Sequence, residues 1–360
     1  MTSLPTSSAA PRERLLYLDI LRCISILAVI VGHVLIPLYL SADHSEILIG
    51  TAYLSLCIPC IPVLLLISGA LLLASPKPID IAVFYLKRLP KLIIPLLGWS
   101  LIYYSFNIHM ENGVLPTLAT FVERFFSSTL SGPLWFLYMM IGVYLMLPFL
   151  RPTFAGDTRK LSFACSAVIF GTYALDFIMR LVFAQPLNQI FIGTVFSFYI
   201  GYVILGNALI RMRLKIPGGR FTLAAVFLLS AAIVTYGEFL AKTGSFKIGI
   251  FFPAQSPLTF LLGVSAFLFF RDWNPTLSPN WARFIQGLSS LSYGVFLSHL
   301  LVLKLLDGST PLFFRPGHGL DCHTISPLVG PLLVAVIVFT IASLLVAVIR
   351  RIPILRLLVP

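Results

Sequence analysis

Asp19, Arg22 and His33 fall within one apolar run, YLDILRCISILAVIVGHV (17–34), near the start of the chain. On a helix turning about 100° per residue, eleven positions bring Arg22 and His33 to nearly the same azimuth, about 16 Å apart along the axis, and Asp19 falls on the same stripe. Ionisable groups at membrane depth are costly and usually face a cavity or the protein interior. The three residue types suggest two tasks at two levels. A guanidinium can hold an anionic or amide-bearing ligand. An imidazole, titrating near neutrality, can take the proton of a hydroxyl or act as the nucleophile itself. A plainer reading stands beside each: Asp19 and Arg22, at i and i+3, can form a local ion pair at the headgroup boundary, and His33 can bond a neighbouring helix.

The elements that must position these groups follow from composition. Of the 360 residues 58% are hydrophobic and 11% charged, with apolar runs from end to end. This predicts an all-α polytopic membrane protein and excludes an ordinary soluble one. About ten transmembrane helices are expected, at 15–40, 48–74, 92–107, 133–150, 161–181, 187–207, 221–241, 250–270, 287–306 and 326–349. With the N-terminus inside, eighteen of the 25 Lys and Arg residues fall on the cytoplasmic side and six on the other, and Arg22 lies within the first helix. That bias predicts an even number of spans with both termini cytoplasmic. The expected organisation is a cytoplasmic tail at 1–14, a single transmembrane domain at 15–349 and a cytoplasmic tail at 350–360. The opening MTSLPTSSAA is short and polar, and no small-residue cleavage site follows the first apolar run, so that run is read as a mature helix.

The net charge of +12 is accounted for by the same bias, and no nucleic-acid partner is implied. There is no Pro/Ser-rich linker, no sign of a soluble second domain and no evident internal repeat. Cys57 and Cys60 form a C-x-x-C inside an apolar run and read as small packing residues. No metal site is read.

Other groups have two readings each. Lys87, Arg88 and Lys91 cluster at the foot of the third helix, where cations can hold phosphates and where the positive-inside bias alone would place them. Trp135 and Phe136 can line a cavity or belong to an interfacial aromatic belt. Asp176 and Arg180, at i and i+4, are expected to pair, and Glu238 lies near an outer helix end.

Several stretches, taken in order, resemble the acyltransferase-3 family of integral membrane enzymes. The first helix carries Tyr17-Leu18-Asp19, then Arg22, with His33 after ten intervening residues. VLLLISGALL (63–72) is similar to the family's Ser-Gly at Ser68-Gly69, and FYLKRLPKLIIPLLGW (84–99) to its basic segment before a proline-containing helix. PLWFLYMMIGVYLMLP (133–148) resembles its Leu-Trp-Phe block, and LSSLSYGVFLSHLLVL (288–303) its late helix ending in Ser-x-His at His299. Two departures are visible. Lys91 stands where the family commonly has a second Arg, and Phe296 where a Tyr is expected, which removes a hydroxyl beside His299.

The resemblance implies an acyl-coenzyme A-dependent O-acyltransferase, acetyl being the first expectation for the acyl group and succinyl open. It implies an acceptor that is an extracytoplasmic polysaccharide or a lipid-linked oligosaccharide, and a place in a bacterial inner (cytoplasmic) membrane, in contact with lipid. The acyl-coenzyme A, acetyl-CoA first, is a substrate, with no bound cofactor expected. His33, Arg22 and Asp19 become the catalytic candidates; Lys87, Arg88, Lys91 and Arg22 would bind the donor; Trp135, Ser68, His299 and Glu111 would serve the acceptor or support the site. Asp19 lies too far down the helix to orient His33, so the orienting group must come from another segment, Asp43, His44, Glu111 and Glu123 being candidates by side of the membrane. The chain leaves no room for the fused esterase-like domain of many members and is expected to act alone. The rival class is a polytopic secondary transporter, which predicts matched broken helices in two halves; prolines such as Pro59, Pro62 and Pro95 show no such matched pair. A sensor or scaffold would leave the Asp19, Arg22 and His33 stripe unexplained.

Overall fold

The computed structural model describes residues 15–73, 80–110, 117–127, 130–154, 158–188, 192, 197–212, 215–244, 255–273, 275–308 and 319–360. Among these residues all regular structure is helical. Lipid offers the backbone no hydrogen bonds, and an apolar chain without a closed barrel satisfies its own amides only as helices. The elements are α1 (Leu16–Val34), α2 (Ile36–Tyr39), α3 (His44–Cys57), α4 (Cys60–Leu72), α5 (Ile81–Arg88), α6 (Pro90–Met110), α7 (Leu118–Phe126), α8 (Trp135–Thr153), α9 (Arg159–Phe183), α10 (Phe198–Arg211), α11 (Arg220–Lys242), α12 (Pro257–Trp273), α13 (Pro279–Leu306) and α14 (Gly330–Ile349).

Each of the ten apolar segments carries a helix. Seven helical stretches among the described residues are long and apolar enough to cross a membrane: Leu16–Val34, His44–Leu72, Gly132–Thr153, Arg159–Phe183, Arg220–Lys242, Pro279–Leu306 and Gly330–Ile349. Three boundaries differ from the sequence reading for local reasons. The first helix stops at Val34, and Pro37 opens the short α2. The stretch His44–Leu72 breaks between α3 and α4 where Pro59, lacking an N–H, takes the N-cap position. The segment expected at 187–207 holds the helix Phe198–Arg211, after α9 has ended at a left-handed Ala184 (φ 55°) followed by Pro186; residues 189–191 and 193–196 lie outside the described residues.

The chain packs around α1, which touches α3, α4, α12, α13 and α14. The closest crossing joins α4 to α10, where two glycines face backbone: a Cβ on Gly69 would lie 1.8 Å from the Val203 carbonyl oxygen, and one on Gly206 would lie 2.1 Å from that of Leu66. Small residues let helix backbones meet in this way where no hydrophobic force drives them together. Trp99 and Tyr103 of α6 are fully buried, the Trp99 indole donating to the Leu358 carbonyl (3.1 Å) and the Tyr103 hydroxyl to that of Leu297 (2.7 Å). These bonds tie α6 to the C-terminal turn and to the middle of α13.

The α1–α13 pair forms the seam that carries Arg22, His33 and His299. Low on the seam Arg22 meets Ser289, and higher up His33 meets His299. Residue numbers rise together on both helices, so α1 and α13 run parallel. If both cross the membrane, an odd number of crossings separates them, which agrees with the ten-span reading.

Candidate active site

The lower level of the seam is a polar network that includes Asp19, Arg22 and Ser289. The Ser289 hydroxyl, on a residue 1% exposed, donates to Asp19 Oδ1 at 2.6 Å. The same oxygen accepts from the Arg22 guanidinium at 3.2 Å, and Arg22 lies 3.9 Å from Asp19 Oδ1. The expected i, i+3 pair is present, and a serine from a helix 267 positions away binds both of its members. Asp19 is buried and the Arg22 side chain keeps 30% of its exposure. Tyr144 of α8 lies within electrostatic reach of both Arg22 and Arg88, and the Tyr293 hydroxyl donates to the Lys91 carbonyl at 3.2 Å. Two tyrosines thus stand between the intramembrane guanidinium and the basic segment. Lys87 and Arg88 close α5, Lys91 sits in the first turn of α6, and all three are exposed.

The upper level is a pair of imidazoles. The rings of His33 and His299 have centroids 5.2 Å apart and planes inclined at 38°. His33 is half-buried and His299 has no exposed surface. His299 Nδ1 lies 2.6 Å from the carbonyl oxygen of Phe296, one turn earlier in α13. An aromatic wall continues from there: Phe296 lies 5.8 Å from the His299 ring, Phe136 lies 4.9 Å from Phe296, and Trp135 touches both Phe136 and Tyr199 while staying 39% exposed. The absent hydroxyl at position 296 leaves an apolar ring beside the buried imidazole.

Some sequence-derived candidates stand elsewhere. Ser68 spends its hydroxyl on the Leu64 carbonyl of its own helix (2.8 Å), beside the Gly69 contact with α10. The Ser-Gly pair therefore belongs to the α4–α10 crossing. Glu111 lies outside the described residues. Asp43 caps α3, where hydrogen bonds from the Ser45 hydroxyl and from the Glu46 and Ser45 amides hold its carboxyl below the usual carboxylate range. His44 packs edge-on against Phe239, and Glu123 is exposed on α7. Asp43, His44 and Glu123 are thus engaged or exposed elsewhere, and the ring that packs against His33 among the described residues is that of His299. Asp176 pairs with Arg180 at 2.8 Å, as expected, and also accepts the Leu187 amide. Glu238 is buried and takes the Tyr39 hydroxyl at 2.9 Å, so its place near a helix end did not leave it in water. Cys57 and Cys60 are free thiols flanking the α3–α4 break. Cys60 lines an apolar cleft of about 310 Å³ with Ser25, Ala28 and Phe227.

A model of the acyltransferase domain family matches residues 15–350, nearly the whole length. The chain belongs to the acyltransferase-3 family. No curated protein and no solved structure matches it. The family implies membrane acyltransferase activity, and the matched stretch includes Asp19, Arg22 and Ser289, the basic segment and both histidines.

Proposed function

We propose that the protein is an O-acyltransferase of the bacterial cytoplasmic membrane that moves an acyl group, acetyl first, from cytoplasmic acyl-coenzyme A to a hydroxyl of an extracytoplasmic polysaccharide or its lipid-linked precursor. The observation that carries this reading is the stacking, on two parallel helices of an acyltransferase-family chain, of an imidazole pair about 16 Å above an intramembrane guanidinium. Ten spans with both termini cytoplasmic set the basic segment toward the cytoplasm and the histidines toward the outside.

In this reading Lys87, Arg88 and Lys91 take the donor phosphates at the cytoplasmic mouth, and their exposure leaves them accessible to an anion. Arg22 holds the pantetheine arm or a phosphate deeper in, and Asp19 with Ser289 keeps its guanidinium in place. His33 is the general base: it accepts the acceptor hydroxyl proton as the oxygen attacks the thioester carbonyl. The C–O bond forms, the C–S bond breaks, and the proton passes from the imidazolium to the departing coenzyme A thiolate. Base catalysis of this kind is worth roughly 10²- to 10⁴-fold. Trp135 and Phe136 line the acceptor side.

The test is acetyl transfer from labelled acetyl-coenzyme A by the purified protein in proteoliposomes, supplied with a polysaccharide acceptor and compared with His33→Ala at matched protein levels. Transfer in the wild type that collapses in the variant supports the reading. Full transfer in the variant removes His33 from the mechanism.

A further inference from the structure

We propose that His299 is a positioning residue that orients His33, by accepting a hydrogen bond from a ring N–H of His33 at its Nε2 and so fixing which nitrogen of His33 carries the lone pair. The inference rests on the acyl-transfer reading of this site and adds the group that sets its base.

The argument starts from a carbonyl. Phe296 O has only lone pairs to offer, so His299 Nδ1, 2.6 Å away, must carry the proton. In the neutral ring that leaves Nε2 as a bare acceptor. Nε2 is buried on a residue with no exposed surface and has no hydrogen-bond partner among the described residues. Buried acceptors are paired in most structures. The rings packed against His299 are Phe296, which has no donor, and His33, which has one. With centroids already 5.2 Å apart, a small rotation of the half-buried His33 ring brings an N–H to Nε2.

The consequence for His33 is a fixed tautomer. Once one nitrogen donates to His299, the other is a lone pair on the opposite edge of the ring. The wall beside His299 is closed by Phe296 and Phe136, whereas His33 retains exposed surface. An acceptor hydroxyl therefore approaches His33 on its free edge. A carboxylate could orient a base in the same way; a neutral imidazole does so at membrane depth without a second charge.

The experiment separates geometry from activity. His299→Gln keeps an amide oxygen within reach of the Nε2 position; His299→Asn is shorter and places its amide near Nδ1. With ¹⁵N-labelled histidine in nanodiscs, and the His33 signal assigned by its loss in His33→Ala, wild-type His33 is expected as a single neutral tautomer. That signature is retained in the Gln variant and averaged in the Asn variant. Transfer should fall about 10- to 100-fold in kcat for Asn, as when the outer partner of a functional histidine is removed, with donor KM unchanged and with Gln closer to wild type. Thermal melts matched to wild type exclude unfolding. An unchanged His33 tautomer in His299→Asn, or equal transfer by Asn and wild type, overturns the proposal. So does a transfer-competent His33→Ala beside an inactive His299→Gln, which would make His299 the base. If the wild type transfers nothing, the acyl-transfer reading fails, while the nitrogen spectra still decide whether the two rings are coupled.

Discussion

At the lower level of the α1–α13 seam a carboxylate, a hydroxyl and a guanidinium bond to one another. At the upper level, about 15 Å along the same two helices, two imidazoles stand side by side and one buried ring nitrogen has no hydrogen-bond partner among the described residues. Both levels place polar groups where they are costly, and they offset that cost differently. The lower network holds a cation between a carboxylate and a hydroxyl. The upper pair keeps proton-accepting capacity that the protein does not use in its resting form. The two levels of one helix pair thus differ in kind: a charged group held by hydrogen bonds below, and two imidazole rings packed together above, one with a buried nitrogen left without a hydrogen-bond partner among the described residues.

The sharpest way to break this comparison is His33→Ala, for which transfer should fall about 100-fold or more with the melting curve unchanged. If stability falls and the rate survives, the upper level is structural after all. Ser289→Ala should act in the opposite sense. Hydrogen bonds to charged groups are worth about 1.5–3 kcal/mol, so unfolding in detergent should come measurably earlier and donor KM should rise about tenfold, with kcat at saturating donor near wild type. A pure loss of kcat in that variant would move Ser289 to the chemistry.

Arg88→Ala probes the foot of the seam. An exposed cation contacting a phosphate should lower donor affinity several-fold, more at low than at high ionic strength; unchanged donor dependence would leave the cluster to topology alone. The smallest effect is expected for Tyr103→Phe. It removes the hydrogen bond to the Leu297 carbonyl, two residues before His299, at about 1 kcal/mol. Guanidinium or thermal unfolding should detect it, and transfer should not.

Much of this was legible in the residues themselves. Periodicity placed Asp19, Arg22 and His33 on one stripe, and hydropathy located ten apolar segments that each carry a helix, because both depend on local spacing. The short α5 and α7 fall outside those segments. The partners were not legible. Ser289 sits among Ser290, Ser292 and Ser298 in one helix, and nothing in its neighbourhood marks it as the serine that meets Asp19 across 270 positions. Tyr103 and the Phe296 carbonyl are equally silent, since a backbone oxygen has no residue type and a buried tyrosine in an apolar helix resembles its neighbours. The Ser-Gly pair shows the converse: the family resemblance made Ser68 a site candidate, whereas the close packing of Gly69 against Val203, a steric role, had no signal in the sequence. The burial of Glu238 was not legible from its place near a helix end, because burial is set by the helices around it.

The separation of 267 residues between Arg22 and Ser289 also sets a clock. At translation rates of about 5–20 residues per second, the first helix waits roughly 15–50 s before its partner α13 has been made. During that interval the i, i+3 pairing of Asp19 with Arg22 is what α1 carries within itself, so the two charges enter the bilayer as a self-neutralised dipole and exchange part of that contact for Ser289 at the end of synthesis. The seam that holds the site is therefore among the last long-range contacts the growing chain can complete.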